Sequence, residues 1–265
     1  MKHIIYHGDT LKVLKTLPDE SVDCIIADPP YAISQKGKKI SRKGYYWGGK
    51  DIKLDFGEWD IFETEGDFFK FTESWFKECV RVLKQKSWIY VFFDKQKTGY
   101  FDLILAPKYE IKSRTIFVWL KTNPRPSFRK VNWISASEFI WVGSKGNCKL
   151  KNFLNQKEMF NYMLTPNKSS YGKTEHPTEK PEELIKKFIL VNTNRGDLVL
   201  DPFLGSGTTM VVAEKLNRNS IGIELNSDYI EIAKKRMKPF LGQARLNGEK
   251  TELKIVEVMS KCGKQ

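Results

Sequence analysis

Asp28-Pro29-Pro30-Tyr31 brings a carboxylate, a rigid carbonyl-rich backbone and an aromatic face together within four residues. Such a set suits a flat ring carrying an amino group: Asp28 and the Pro29 carbonyl accept its two N–H protons while Tyr31 stacks on the ring. By itself the tetrapeptide reads just as well as a stop between a strand and a loop. A second stretch, Asp201-Pro202-Phe203-Leu204-Gly205-Ser206-Gly207-Thr208-Thr209, adds another acid and a glycine loop. Its glycines let the backbone approach a ligand closely, and Ser206 and Thr208 can offer hydroxyls to a carboxylate at a helix start. The loop lacks the Gly-Lys-Ser/Thr of a phosphate loop and the third glycine of a dinucleotide fingerprint. About twenty residues on, Glu224 stands where an acid can hold ribose hydroxyls. Asp9 can reach a purine amino group or a ribose hydroxyl, or cap the helix that follows.

Each of these acids closes an apolar run. Val22 to Ala27, Leu198 to Leu200 and Ser220 to Glu224 read as strands, and the two prolines after Asp28 end the first because they lack ladder N–H groups. Ligands bind at the carboxyl ends of strands in open α/β sheets. Ile4 to Tyr6 forms a further strand, followed by a helix that Thr10 can cap, with Leu11, Leu14 and Leu17 on its apolar side. An aromatic-rich amphipathic helix is expected from Trp59 to Leu83, with Phe69, Phe76, Val80 and Leu83 on its stripe and Phe68, Phe71, Trp75 and Val82 widening it. Strands are expected at Trp88–Phe93, Thr115–Leu120, Glu138–Val142 and Leu253–Val258, with a helix ending near Ala106. Pro181, pre-set for a first turn, starts a helix with Leu184, Ile185, Phe188 and Ile189 inward, and its free N–H groups favour an anion. Thr178 and Lys180 add a hydroxyl and a charge there. Asn226 caps a last helix through Met237. Alternating strands and helices imply a doubly wound, largely parallel sheet.

With His176-Pro177-Thr178-Glu179-Lys180-Pro181 just before the glycine loop, the chain from about residue 4 to 237 resembles the DNA amino-methyltransferases. The catalytic motif preceding the cofactor motif is the order of the family's beta class. The resemblance implies an α/β, Rossmann-like methyltransferase fold, doubly wound and mostly parallel with an antiparallel edge and a circularly permuted motif order. It implies S-adenosylmethionine as cofactor, bound by Asp9, Asp28, Thr178, Lys180, Asp201, Phe203, Gly205, Ser206, Gly207, Thr208, Glu224 and Leu225. Asp28, Pro29, Pro30 and Tyr31 would be catalytic, and a base buried in a duplex would have to be flipped out. Asp rather than Ser at the first motif position favours N6 of adenine over N4 of cytosine. A non-catalytic nucleic-acid-binding module with this fold, a nicotinamide oxidoreductase and an RNA methyltransferase are the rival readings. The intact four-residue motif speaks against the first, and the missing third glycine against the second.

The rest of the chain fits a polyanionic partner. Its 265 residues carry 45 Lys and Arg against 32 Asp and Glu, a net charge of +13, which favours nucleic acid. One domain, 1–265, is expected, with a mobile basic loop at 33–58 and a small target-recognition insertion at 143–175. In the loop, Lys36, Lys38, Lys39, Arg42 and Lys43 can hold phosphates, and Tyr45, Tyr46 or Trp47 can stack on a base. A Lys-x-Asn-Pro-x-Pro segment beginning at Lys121 also resembles the family, and places Arg125 and Arg129 near the DNA backbone or in an ordinary rigid loop. The insertion, rich in Lys and Asn, resembles the class's recognition region but specifies no sequence. Double-stranded DNA is the expected partner, with a homodimer and a cognate restriction endonuclease in addition. Cys24, Cys79, Cys148 and Cys262 lie far apart with no Cys-x-x-Cys, so neither a metal site nor a disulfide framework is expected. No apolar run approaches a membrane span, and the start Met-Lys-His-Ile-Ile-Tyr leads into a strand rather than a signal peptide. A cytoplasmic protein is expected.

Overall fold

The computed structural model describes residues 1–30, 62, 64–124, 133–153, 155–167, 179–242 and 250–258. They fall into two compact units, Met1–Pro29 with Trp75–Gln265, and Pro30–Ser74. In chain order the elements are β1 (Lys2–His7), α1 (Thr10–Leu14), β2 (Val22–Ala27), α2 (Glu65–Val82), β3 (Leu83–Phe93), a π-helical turn (Phe101–Leu105) running into α3 (Ala106–Lys108), β4 (Ile111–Lys121) and β5 (Ser137–Lys145). A short 3₁₀ turn (Gln156–Met159), β6 (Tyr162–Thr165), α4 (Glu182–Asn192), β7 (Leu198–Asp201), α5 (Thr208–Lys215), β8 (Asn219–Glu224), α6 (Ser227–Met237) and β9 (Glu252–Glu257) follow.

The nine strands form one sheet in the order β6-β4-β5-β3-β2-β7-β8-β1-β9. Among the described residues six of the eight pairings are parallel, and β5 alone runs against its neighbours β3 and β4. The mostly parallel sheet with an antiparallel part is therefore present. The antiparallel strand lies third from the edge, because β6 adds in parallel beyond β4. Nothing in the polar stretch after Gly143 signalled β6: its Tyr162-Met163-Leu164-Thr165 is too short to show a period.

Strand alternation places helices on both faces. Tyr90 and Phe92 of β3 meet Phe188 of α4, with centroids 4.2 and 6.4 Å away, while Phe93, pointing the other way, meets Phe101 of the π-helical turn at 4.6 Å. On that second face Phe101 also stacks on Trp141 of β5 at 5.3 Å, and Phe76 of α2 packs on Trp141 at 5.7 Å. A further cluster of Ile5, Leu204, Met210, Val211, Ile230, Ala233 and Met237 ties α5 and α6 to β1. Fully burying one such side chain is worth about 1.5–3 kcal/mol.

Helix starts differ from expectation in three places. Asp9, not Thr10, is the N-cap of α1: its carboxylate accepts from the Lys12 N–H at 2.9 Å. Thr10 lies one residue inside and donates its hydroxyl to the Pro202 carbonyl at 2.7 Å. Pro181 is the N-cap of α4 in extended backbone (φ −63°, ψ 134°), so the first turn is Glu182-Glu183. Two acids there work against binding an anion at that helix start. The aromatic helix begins at Glu65; of the expected residues before it, only Phe62 and Thr64 are described. Among the described residues no helix is long and apolar enough to cross a membrane, and no group of three or more His, Cys, Asp or Glu could hold a metal ion.

Candidate active site

β2 and β7 are parallel neighbours, with Cys24 opposite Val199 and Ile25 opposite Leu200. Asp28 follows the carboxyl end of one and Asp201 ends the other, so two acids 173 positions apart in sequence come to adjacent strand ends. From β2 the sheet continues through β3 on one side; from β7 it continues through β8 on the other. This is a topological switch point, where an open α/β sheet leaves a crevice. The crevice is a cleft of about 390 Å³ counted out to its open mouth. Ile26 and Asp28 form one part of its lining, Glu179 and Lys180 another, and Asp201 with the loop from Phe203 to Ser206 and the start of α5 the rest.

Backbone conformation explains the glycines of that loop. Gly205 and Gly207 have φ of 52° and 81°, values that L side chains avoid. A Cβ on Gly207 would also stand 2.8 Å from Ala233 Cβ on α6. Glu224, at the end of β8, fixes the loop from the other side. Its Oε2 accepts from the Gly205 N–H at 2.8 Å, and its Oε1 from the N–H groups of Leu225 and Asn226 at 2.9 and 2.8 Å. Burial raises the Glu224 proton affinity above the usual carboxylate value, and these three donors oppose that rise.

Asp201 is more strongly perturbed. Burial pushes it up to about 7, the Thr209 hydroxyl and Phe203 N–H pull the other way, and the charges of Asp28 and Glu224 add to the rise. The N–H of Phe203 donates to its Oδ1 at 3.0 Å. Lys180 lines the same cleft. Its Nζ lies 2.7 Å from Asp28 Oδ2 and 3.6 Å from Glu138 Oε2, over the face of Phe92. Burial disfavours its ammonium, but Asp28 and Glu138 outweigh burial and leave its pKa raised.

Ser206 and Thr208 line the cleft, with their hydroxyls already engaged by Arg236 of α6. Its Nη1 donates to Ser206 Oγ at 3.1 Å, to the Ser206 carbonyl at 3.0 Å and to Thr208 Oγ1 at 2.9 Å. Nη2 reaches Glu179 Oε1 at 3.1 Å and Glu182 Oε1 at 3.5 Å. Arg236 and Glu138 escaped the sequence reading because neither lies in a motif; Glu179 stood inside one with no role assigned. Asp9 is beside this group rather than in the cleft lining: β1 neighbours β8, and the Gly8 N–H donates to the Glu224 carbonyl at 2.9 Å. Leu225 is exposed beside Glu224, and Phe203 is half-buried, edge-on to Trp75 at 5.4 Å. Pro29 and Pro30 are buried. Tyr31, Thr178, Lys36, Lys38, Lys39, Arg42, Lys43, Arg125 and Arg129 lie outside the described residues, as do Tyr45, Tyr46 and Trp47.

The residues present fit S-adenosylmethionine. That molecule carries positive charge on sulfur and on its amino group, and Asp28, Glu179 and Asp201 give the cleft acidic walls. The positive-φ glycine loop leaves backbone without side chains beside them. Glu224, with three acceptor positions filled, retains capacity for a hydroxyl donor.

Residues 22–235 match a family model described as DNA methylase. The chain is 36% identical over 256 residues to the type II methyltransferase M.HinfI of Haemophilus influenzae, covering 88% of this chain and 68% of that one. It is 32% identical over 249 residues to the type II methyltransferase M2.DpnII of Streptococcus pneumoniae, covering 89% and 90%. Its fold is similar to the crystal structure of an M1.HpyAVI–SAM complex, with a TM-score of 0.68 and 26% identity over 89% of this chain and 98% of that one.

Proposed function

The chain belongs to the DNA methylase family and is an S-adenosylmethionine-dependent DNA methyltransferase, and from that premise we propose that its acceptor is the N6 amino group of an adenine flipped out of duplex DNA. One observation carries this reading: Asp28 and Asp201, 173 positions apart in sequence, line one cleft with the glycine loop at adjacent strand ends. When bound, the cofactor supplies a methyl group on an electrophilic sulfonium, which departs as a neutral thioether. The chain's own task is to orient the amino nitrogen in line with that methyl and to receive its hydrogens. Asp28 and the Pro29 carbonyl accept the two N–H groups, which directs the nitrogen lone pair at the methyl carbon. Tyr31 stacks on the ring. As the N–C bond forms, the nitrogen becomes positive beside Asp28, and the proton it then loses leaves toward that side of the cleft.

Asp201 and Glu224 hold the cofactor's polar groups, with Asp9, Phe203 and Leu225 about its adenosine end, Thr178 and Lys180 assisting, and Gly205, Ser206, Gly207 and Thr208 at the methionine end. Lys36, Lys38, Lys39, Arg42, Lys43, Arg125 and Arg129 meet DNA phosphates, and residues 143–175 contribute to target recognition. The relatives' type II designation supports a cognate restriction endonuclease, and a homodimer belongs to the same reading. Asp at the first motif position supports adenine. Incubation with methyl-labelled S-adenosylmethionine and mixed-sequence duplex DNA, followed by digestion to nucleosides, tests it. Label is expected in N6-methyladenine; label in N4-methylcytosine would overturn the acceptor assignment.

A further inference from the structure

Glu138 lies on β5, opposite Trp119 of β4, inside the sheet and away from every sequence motif. Its Oε1 is 2.7 Å from Lys121 Nζ. Its Oε2 is shut off from solvent and faces Lys180 Nζ at 3.6 Å. Lys180 in turn holds Asp28 Oδ2 at 2.7 Å and is 12% exposed. Two cations and two carboxylates therefore alternate from β4 through β5 to the end of β2, a chain with no net charge. The Lys180 ammonium lies between two carboxylates of the protein. Burial raises the Glu138 proton affinity, but Lys180 and Lys121 outweigh it, so Glu138 is an anion across the neutral range.

We propose that Glu138 is a positioning residue for methyl transfer: it holds the Lys180 ammonium against Asp28, and so fixes the Asp28 carboxylate in the orientation that receives the acceptor amino group. This rests on the role given to Asp28 above. Asp28 follows the last residue of β2 and is only partly covered. Glu138 is anchored in β5, a strand with a neighbour on either side, and a site held from rigid elements is the one that keeps its geometry. A misplacement of about 1 Å at a reacting centre can cost about 10²-fold in rate.

Glu138→Gln keeps the shape and removes the charge. With the full chain and duplex DNA, kcat is expected to fall about 10- to 100-fold, while the dissociation constant for S-adenosylmethionine, measured by calorimetry, stays within about threefold. Adding Glu138→Gln to Lys180→Met should cost no more than about another twofold, because the action runs through Lys180. Multiplicative losses in the double variant, an unchanged kcat in Glu138→Gln, or a tenfold weaker cofactor affinity with kcat intact would each overturn the proposal. If Glu138→Gln does not fold, Lys180→Met alone decides: a kcat at saturating cofactor lowered at least about tenfold supports the chain, and an unchanged kcat there sinks it.

A readout independent of turnover separates this from the functional reading. In protein labelled with ¹⁵N-lysine, the Lys180 ammonium should give an exchange-protected signal that disappears in Asp28→Ala and in Glu138→Gln. If that signal behaves so while the wild type binds cofactor and methylates neither base, the functional reading falls and the Glu138–Lys180–Asp28 link stands. If the signal persists in Glu138→Gln, the link falls whatever the enzyme methylates.

Discussion

Asp201 is the residue whose environment makes the sharpest demand. It titrates at about 7 in the folded chain against an ordinary 3.8, chiefly because it is buried. A folded-state value raised in this way gives stability that is fully present below the unfolded value and is lost as pH climbs through the folded one. The cofactor-free protein should therefore become less stable between about pH 4 and pH 7 on account of this group, by on the order of 4 kcal/mol at most. Asp201→Asn, which keeps an acceptor for the Phe203 N–H, should flatten that slope in thermal melts across the range and raise the melting temperature at pH 8. A slope unchanged in the variant would assign it to other groups. Asp28→Ala should behave differently: transfer lost, with cofactor affinity within a few-fold of wild type by calorimetry. An active Asp28→Ala would remove Asp28 from the reaction. Both acids were legible in the sequence because each closes an apolar strand beside a proline. Glu138, Arg236 and the carboxylate partners of Lys180 were not, since Lys180 stands 42 residues from Glu138 in sequence and Arg236 28 or more from the loop it holds.

At the scale of elements, the glycine loop works because α6 and β8 hold it from two sides. Gly207 is the N-cap of α5 in left-handed backbone, and its missing Cβ is what admits Ala233. Gly207→Ala should cost about 1–3 kcal/mol, from strained backbone and from contact with α6. Ala233→Gly in the same chain should recover the contact part and leave the backbone part, which denaturant unfolding of the three variants would separate. Arg236 bridges the same loop to Glu179 and Glu182. Arg236→Met should strip Ser206 and Thr208 of their donor and remove one cation from beside Glu179, at a cost of about 1–3 kcal/mol. Cofactor binding should weaken in parallel, and a variant as stable and as tight-binding as wild type would show that the loop holds itself. The amphipathic helices and most strands were legible as periodic or continuous apolar runs, whereas β6, four residues in a polar stretch, was not. Helix starts were read one residue off at Asp9 and Pro181, since a cap depends on backbone angles that Asp, Thr and Pro all satisfy near a helix start.

For the whole molecule, the decisive property is how the sheet orders its strands. That the ends of β2 and β7 lie side by side is what the resemblance implied; local patterns could not show it, because pairing across about 175 residues leaves no periodic trace in the chain. That pairing separates the requirements of the two substrates: the proposed cofactor cleft sets its carboxylates against Lys180 and Arg236, while the chain as a whole carries +13. A polyanion is drawn by the surplus charge and releases counterions when it binds, so its affinity should depend steeply on salt. The cofactor, small and held by short-range contacts in a cleft, releases no such atmosphere. Raising salt from 50 to 200 mM should therefore weaken binding of a nonspecific duplex by about 10³-fold or more if six or more phosphates are contacted, and change the cofactor's dissociation constant by only a few-fold. Fluorescence anisotropy of labelled duplex and calorimetry of the cofactor, in the same buffers, measure the two. If DNA binding were as indifferent to salt as cofactor binding, the basic surplus would be a feature of solvated surface, and recognition would have to rest on contacts to bases alone.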